Sequence, residues 1–199
     1  PQTTPDIKVN SVKALGGQAV LHGDSYDDAY AHAQALVAEK GYTFIHPFDD
    51  LDVIAGQGTV APEILRQHDG RIDAVFLPCG GGGLMAGVAA YLKFVDPSIR
   101  VIAVEAEDSA CLAAALKAGR RVTLDQVGLF ADGVAVRQIG KHTFDVAKQC
   151  VDEVITCSTD EICAAIKDIY DECRSICEPA GALALAGLKK HVQLTGAVG

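Results

Sequence analysis

FLPCGGGGLMAGV, residues 76–88, closes an apolar run, passes through four consecutive glycines and opens onto a helix-forming stretch. Glycine loses more backbone freedom on ordering than any other residue, so a run of four implies something that needs bare backbone. Upstream, residues 72–78 (IDAVFLP) are nearly continuously apolar, which suits a strand buried on both faces; downstream, a helix is expected over about 84–95. A strand, a glycine turn and a helix start, in that order, gather amide N–H groups and the positive end of the helix dipole at one point. Such a point is an anion site, and phosphate is its commonest occupant.

The same alternation extends in both directions. Towards the N-terminus, residues 6–15 read as a helix stopped by Gly16 and Gly17, residues 18–22 (QAVLH) as a strand, 25–40 as an amphipathic helix ended by Gly41, and 42–46 (YTFIH) as another strand. A helix through about 51–68 leads into the strand at 72–78. Beyond the glycines, a strand at 99–106, a small-residue helix at about 109–118 and a strand at 153–158 follow. Ser158 and Glu161 form an S-x-x-E capping box opening a helix to about 173, and Pro179 stands at a plausible first position of a last helix. Strands alternating with helices predict an α/β fold with parallel strands and helical crossovers, with one weak boundary near 46–51.

Composition limits the partners. The 199 residues are 49% hydrophobic and carry a formal charge of -9. That argues for a globular chain and against nucleic acid or an anionic membrane as partner, since both demand a basic face. Small anions remain open, because backbone amides bind them without net positive charge. Seven cysteines, an odd number with no C-x-x-C, read as reduced core residues in a reducing, cytoplasmic setting. No signal peptide opens the chain, and no stretch approaches the 18 uncharged apolar residues of a membrane span.

Two readings of the glycines compete. Gly81, Gly83 and Ala86 fit G-x-G-x-x-A, and Glu105 ends the next strand where a ribose-binding acid of an NAD(P) site would sit. Alternatively the loop holds a single phosphate, such as that of pyridoxal 5'-phosphate.

PCGGGGLMAGVA, with VIAGQGT (53–59), VIAVEAEDSACLAAAL (101–116), VGLFADGVAV (127–136) and CEPAGALALAGLKK (177–190), resembles the catalytic domain of the threonine ammonia-lyase (threonine deaminase or dehydratase) family. This family belongs to the tryptophan synthase β-like, fold type II pyridoxal phosphate enzymes; serine dehydratases and racemases share the general pattern. The resemblance covers essentially the whole chain and looks closest to the biosynthetic type. It implies an α,β-elimination turning L-threonine, or L-serine in a sibling enzyme, into a 2-oxo acid and ammonia; with threonine this is the first step of isoleucine biosynthesis. It also implies a homo-oligomer, with residues 1–50 the latter part of a small domain and 51–199 much of a large one, the cofactor lying between.

By the same resemblance, Gly80, Gly81, Gly82, Gly83 and Leu84 are the cofactor-phosphate loop. Asp132 and Gly133 belong to a loop against the cofactor ring, and Glu178 is the acid of an E-P-x-G segment near it. In related racemases the strand end at Glu105 helps bind a divalent cation with a carboxylate six residues on. Here Cys111 stands at that place, and no metal is expected. The family's Schiff-base lysine lies in an S-F-K-x-R-G segment, a context that none of the ten lysines shares. With Pro1 in place of a methionine, the chain reads as an internal fragment, inactive alone and with an exposed sheet edge in its first 50 residues.

Overall fold

The structure, a computed structural model of the chain, describes residues 1–196. The chain divides into two compact units, Pro1–Ile45 and the residues from His46 onward.

In the first unit, α1 (Asp6–Ala14) and α2 (Tyr26–Lys40) form where the periodicity predicts them. α2 opens with a capping box between Ser25 and Asp28 and closes on Gly41 in the left-handed conformation. Tyr30 meets Tyr26 in a stacked pair and Phe44 edge-on. The strands expected at 18–22 and 42–46 are not there: both runs are irregular, with Val20, Leu21, Tyr42 and Ile45 exposed. A strand exists only through the ladder it shares with a neighbour. Neither run finds one among the described residues, so the sheet edge expected here is absent as well.

The second unit is built on three parallel strands in the order β1 (Ala74–Pro78), β2 (Arg100–Ala106), β3 (Glu153–Cys157). Ala74 pairs with Arg100 and Ile102 with Glu153. The single helix expected through 51–68 is two, α3 (Leu51–Gly58) and α4 (Val60–Gln67), parted at Thr59. Pro62 supplies the reason, since it has no N–H to give to the carbonyl of Gly58. α5 (Gly83–Val95) links β1 to β2; α6 (Cys111–Ala118) and α7 (Lys141–Cys150) lie between β2 and β3. α7 was not singled out from the sequence. α8 (Thr159–Cys173) opens with the expected capping box of Ser158 and Glu161, and α9 (Pro179–Thr195) carries its proline at the first turn.

β2 is the central strand and separates two cores. Val101 and Ala103 face Met85, Leu92, Leu112 and Phe144 from α5, α6 and α7. Ile102, Val104 and Ala106 face Ile162, Ala165 and Leu183 from α8 and α9. This period of two places Glu105 on the α5–α6–α7 side, beneath the glycines that follow β1. With both faces covered, β2 is apolar from Val101 to Ala106 except for that carboxylate, as suits a doubly buried parallel strand. Its one exposed residue, Arg100 at the start, forms an ion pair with Glu153.

Candidate functional site

The glycine loop leaves the C-terminal end of β1 and enters α5 at Gly83. Gly80, Gly81, Gly82 and Gly83 are all buried, and Gly82 takes a left-handed φ of 91°. The side of the loop that meets the protein is fully used. The Gly80 carbonyl accepts from the Cys111 thiol at 3.4 Å, and the Gly81 carbonyl from Thr143 Oγ1 at 2.8 Å and Gly140 N at 3.2 Å. The Gly82 carbonyl accepts from Ala86 N at 2.8 Å.

The amides are another matter. Among the described residues, no backbone or side-chain acceptor takes the N–H groups of Gly80, Gly81, Gly82, Gly83, Leu84 or Met85. Four of these, from Gly82 to Met85, are the ordinary orphans of an uncapped helix start, but those of Gly80 and Gly81 precede the helix in a buried turn. Buried N–H groups are nearly always paired, so a contiguous run of unclaimed ones fits an anion carrying several acceptor oxygens.

Each glycine is also closely approached. A Cβ on Gly80 would lie 2.8 Å from Val134 Cα, one on Gly82 2.9 Å from Thr143 Cβ, and one on Gly83 3.0 Å from Phe48 Cα. On Gly81 it would overlap the Phe48 ring itself. The bareness that the sequence explains by an approaching ligand is therefore shared with an aromatic ring. Phe48 belongs to residues 46–50, where the Asp50 side chain caps α3 and that of Asp49 caps α7, accepting from Lys141 N at 2.7 Å and His142 N at 2.8 Å.

The remaining expected residues lie beside the loop. Val134, which touches Gly80, ends the one-turn helix Asp132–Val134. A Cβ on Gly133 would stand 3.1 Å from Glu178 Oε1 and 2.9 Å from Ala180 Cβ. Gly133 and Glu178 are thus adjacent, both exposed, and tied through Val134 to Gly80. Leu84 is half-buried in the first turn of α5.

Glu105 does not do what a ribose-binding acid must. It is 0% exposed, and its two oxygens accept from Leu112 N at 2.7 Å and Ala113 N at 2.8 Å, capping α6. Burial raises its carboxyl to about 7 against the opposing pull of these amides, and raises the neighbouring Cys111 thiol to about 12 and that of Cys79 well above its usual range. Both thiols therefore stay protonated, and Cys111 can donate. A carboxylate so enclosed cannot reach a dinucleotide, which removes the NAD(P) reading. No cluster of three potential metal ligands occurs among the described residues. All seven cysteines are free, and no helix is long and apolar enough to cross a membrane among the described residues.

Phe48, Asp49, Gly140 and Thr143 were missed in the sequence. The pair Asp49-Asp50 ahead of α3 was a visible cap signal for one helix. Nothing local marks Asp49 as the cap of a second helix 92 residues on.

The profile of the pyridoxal-phosphate dependent enzyme family matches residues 1–197. The chain is 56% identical over 199 residues to the biosynthetic L-threonine dehydratase of Burkholderia multivorans, covering 98% of this chain and 39% of that protein. Among solved structures it resembles the processed form of threonine deaminase isoform 2 from Solanum lycopersicum, with a TM-score of 0.93 at 46% identity over 99% of this chain and 57% of that one. It also resembles the T.th. threonine deaminase, with a TM-score of 0.88 at 36% identity over 94% of this chain and 62% of that one. The chain thus spans about two fifths of the length of the curated relative.

Proposed function

The chain belongs to the pyridoxal-phosphate dependent enzyme family, of fold type II, and from that premise we propose that it serves in the conversion of L-threonine to 2-oxobutanoate and ammonia. The observation that carries this reading is the run of unclaimed amides from Gly80 to Met85 at the start of α5. It fits a phosphate dianion, whose oxygens would take these N–H groups while the α5 dipole favours its charge. The 56% identity to a biosynthetic threonine dehydratase supports the substrate. The homo-oligomer and the cytoplasmic setting implied by the resemblance belong to the same proposal.

Bound pyridoxal phosphate supplies an electron sink for the charge left when the substrate loses its α-proton. The rest concerns this chain's own residues. Gly80, Gly81, Gly82, Gly83 and Leu84 hold the phosphate, and the close approach of Phe48 and Val134 denies the loop other conformations. Gly133 and Glu178 present bare backbone and a carboxylate side by side next to Gly80, the place we assign to the cofactor ring. We assign no covalent role to any lysine of the chain. Lys93, Lys148, Lys167, Lys189 and Lys190 are held in ion pairs with Asp152, Asp145, Asp171, Asp168 and Glu161.

The test is to add pyridoxal 5'-phosphate, remove the excess and measure retained cofactor with and without borohydride. Reversible retention that inorganic phosphate competes away, with no reduced lysine adduct, is expected. A stoichiometric adduct on one lysine would overturn the assignment of roles, and no retention at all would overturn the phosphate site.

A further inference from the structure

A trans peptide unit is a rigid plane whose C=O and following N–H point in opposite directions. All the peptide bonds described here are trans. Whatever grips a carbonyl of the glycine loop therefore also aims the next amide. Gly81 is the best-held: its carbonyl takes a 2.8 Å hydrogen bond from Thr143 Oγ1 and a 3.2 Å bond from Gly140 N, so the Gly82 N–H is turned the other way.

Thr143 is 0% exposed and lies in the first turn of α7. That turn is fixed in its turn by Asp49, which accepts from Lys141 N and His142 N, and at 3.4 Å from Thr143 N. The residue before Asp49 is Phe48, whose ring lies on Gly81. His46 Nδ1 stiffens the corner by accepting from Phe48 N at 3.3 Å and Asp49 N at 2.9 Å. The path closes on itself: Gly81 to Thr143, along the α7 start to Asp49, through Phe48 and back to Gly81.

We infer that Thr143, seated by Asp49, is a positioning residue that aims the Gly82 amide at the bound phosphate. The inference rests on the phosphate reading of the loop and adds to it the residues that set the loop's geometry. Thr143 need not touch the ligand to act. Its hydroxyl acts on the Gly81 carbonyl, and the rigid plane carries the effect to the other side.

The measurement is equilibrium dialysis of pyridoxal 5'-phosphate with the protein and its Thr143→Val and Thr143→Ser variants, together with the 31P resonance of the bound phosphate. Valine keeps the shape and removes the donor, and should weaken binding about tenfold, the worth of one well-aimed amide, with a shifted 31P signal. Serine keeps the hydroxyl and should restore both. A loss of general stability alone would not move the 31P signal of the fraction that binds.

Binding by Thr143→Val within twofold of wild type, at an unchanged 31P position, would overturn the inference and leave the phosphate site standing. Failure of the wild type to bind would overturn both. Should Thr143→Val not fold, Asp49→Asn carries the test, since it keeps one acceptor oxygen of the cap. It should bind roughly threefold more weakly, and unchanged affinity would overturn the inference.

Discussion

Replacing Glu105 by glutamine should change how the stability of the protein depends on pH. In the unfolded chain this carboxyl titrates at its ordinary 4.5; burial in the folded chain raises it to about 7. Between those values the folded state holds a proton that the unfolded state has released. Its contribution to stability is therefore complete below pH 4.5 and is lost as pH rises through about 7. The difference of roughly 2.5 pH units corresponds to about 3 kcal/mol. Urea unfolding of wild type and Glu105→Gln at half-unit steps from pH 4.5 to 8 isolates this group, because every other titration is common to both. The variant also carries a constant penalty of about 1–3 kcal/mol, since its NH₂ must face the N–H of Leu112 or Ala113. Wild-type stability minus that of the variant should fall by about 3 kcal/mol across the range. A flat difference would mean that burial does not perturb the carboxyl. A rising one would mean that the two amides outweigh burial and that the carboxylate is the favoured form.

Two further substitutions probe the packing. Gly81→Ala should lower stability by about 1–3 kcal/mol, seen as a reduced melting temperature, because its Cβ would overlap the Phe48 ring; adding Phe48→Ala should recover part of the loss, and no recovery would show that another contact forbids the side chain. Ser158→Ala removes the hydroxyl that accepts from Glu161 N and should cost about 1 kcal/mol in urea unfolding; an unchanged midpoint would mean that Glu161 alone, with Lys190 beside it, holds the start of α8.

What the sequence made legible follows from which forces are local. β1 and β2 were readable because strands covered on both faces are largely apolar, β3 from its short Val-Ile-Thr run, and α8 because its cap lies three residues from the residue that completes it. The glycine turn between β1 and α5 was readable because four glycines after an apolar run mark where a strand stops and a helix starts. The runs at 18–22 and 42–46 have the right alternation, but a strand depends on a partner and the alternation does not reveal whether one is present. α7 has a modest apolar face of Phe144 and Ala147, and its cap comes from Asp49, far away in sequence. Glu105 shows the same limit from the other side. Its position at a strand end suited a ribose acid, and only the fold reveals that α6 closes over it.

The partners that hold the loop carbonyls come from far along the chain: Cys111 is 31 residues from Gly80 and Thr143 is 62 from Gly81. Closing such loops must precede any reward from the contacts they allow. A chain emerging during synthesis would thus carry all four glycines long before it could grip an anion with them. On the proposed phosphate reading, the loop is held only once α7 has joined it, so an anion bound there would recognise molecules folded at least that far. It then draws the folding equilibrium towards completion in proportion to its concentration over its dissociation constant. Supply of the bound group would in this way set how much of the protein persists as well as how much of it is loaded.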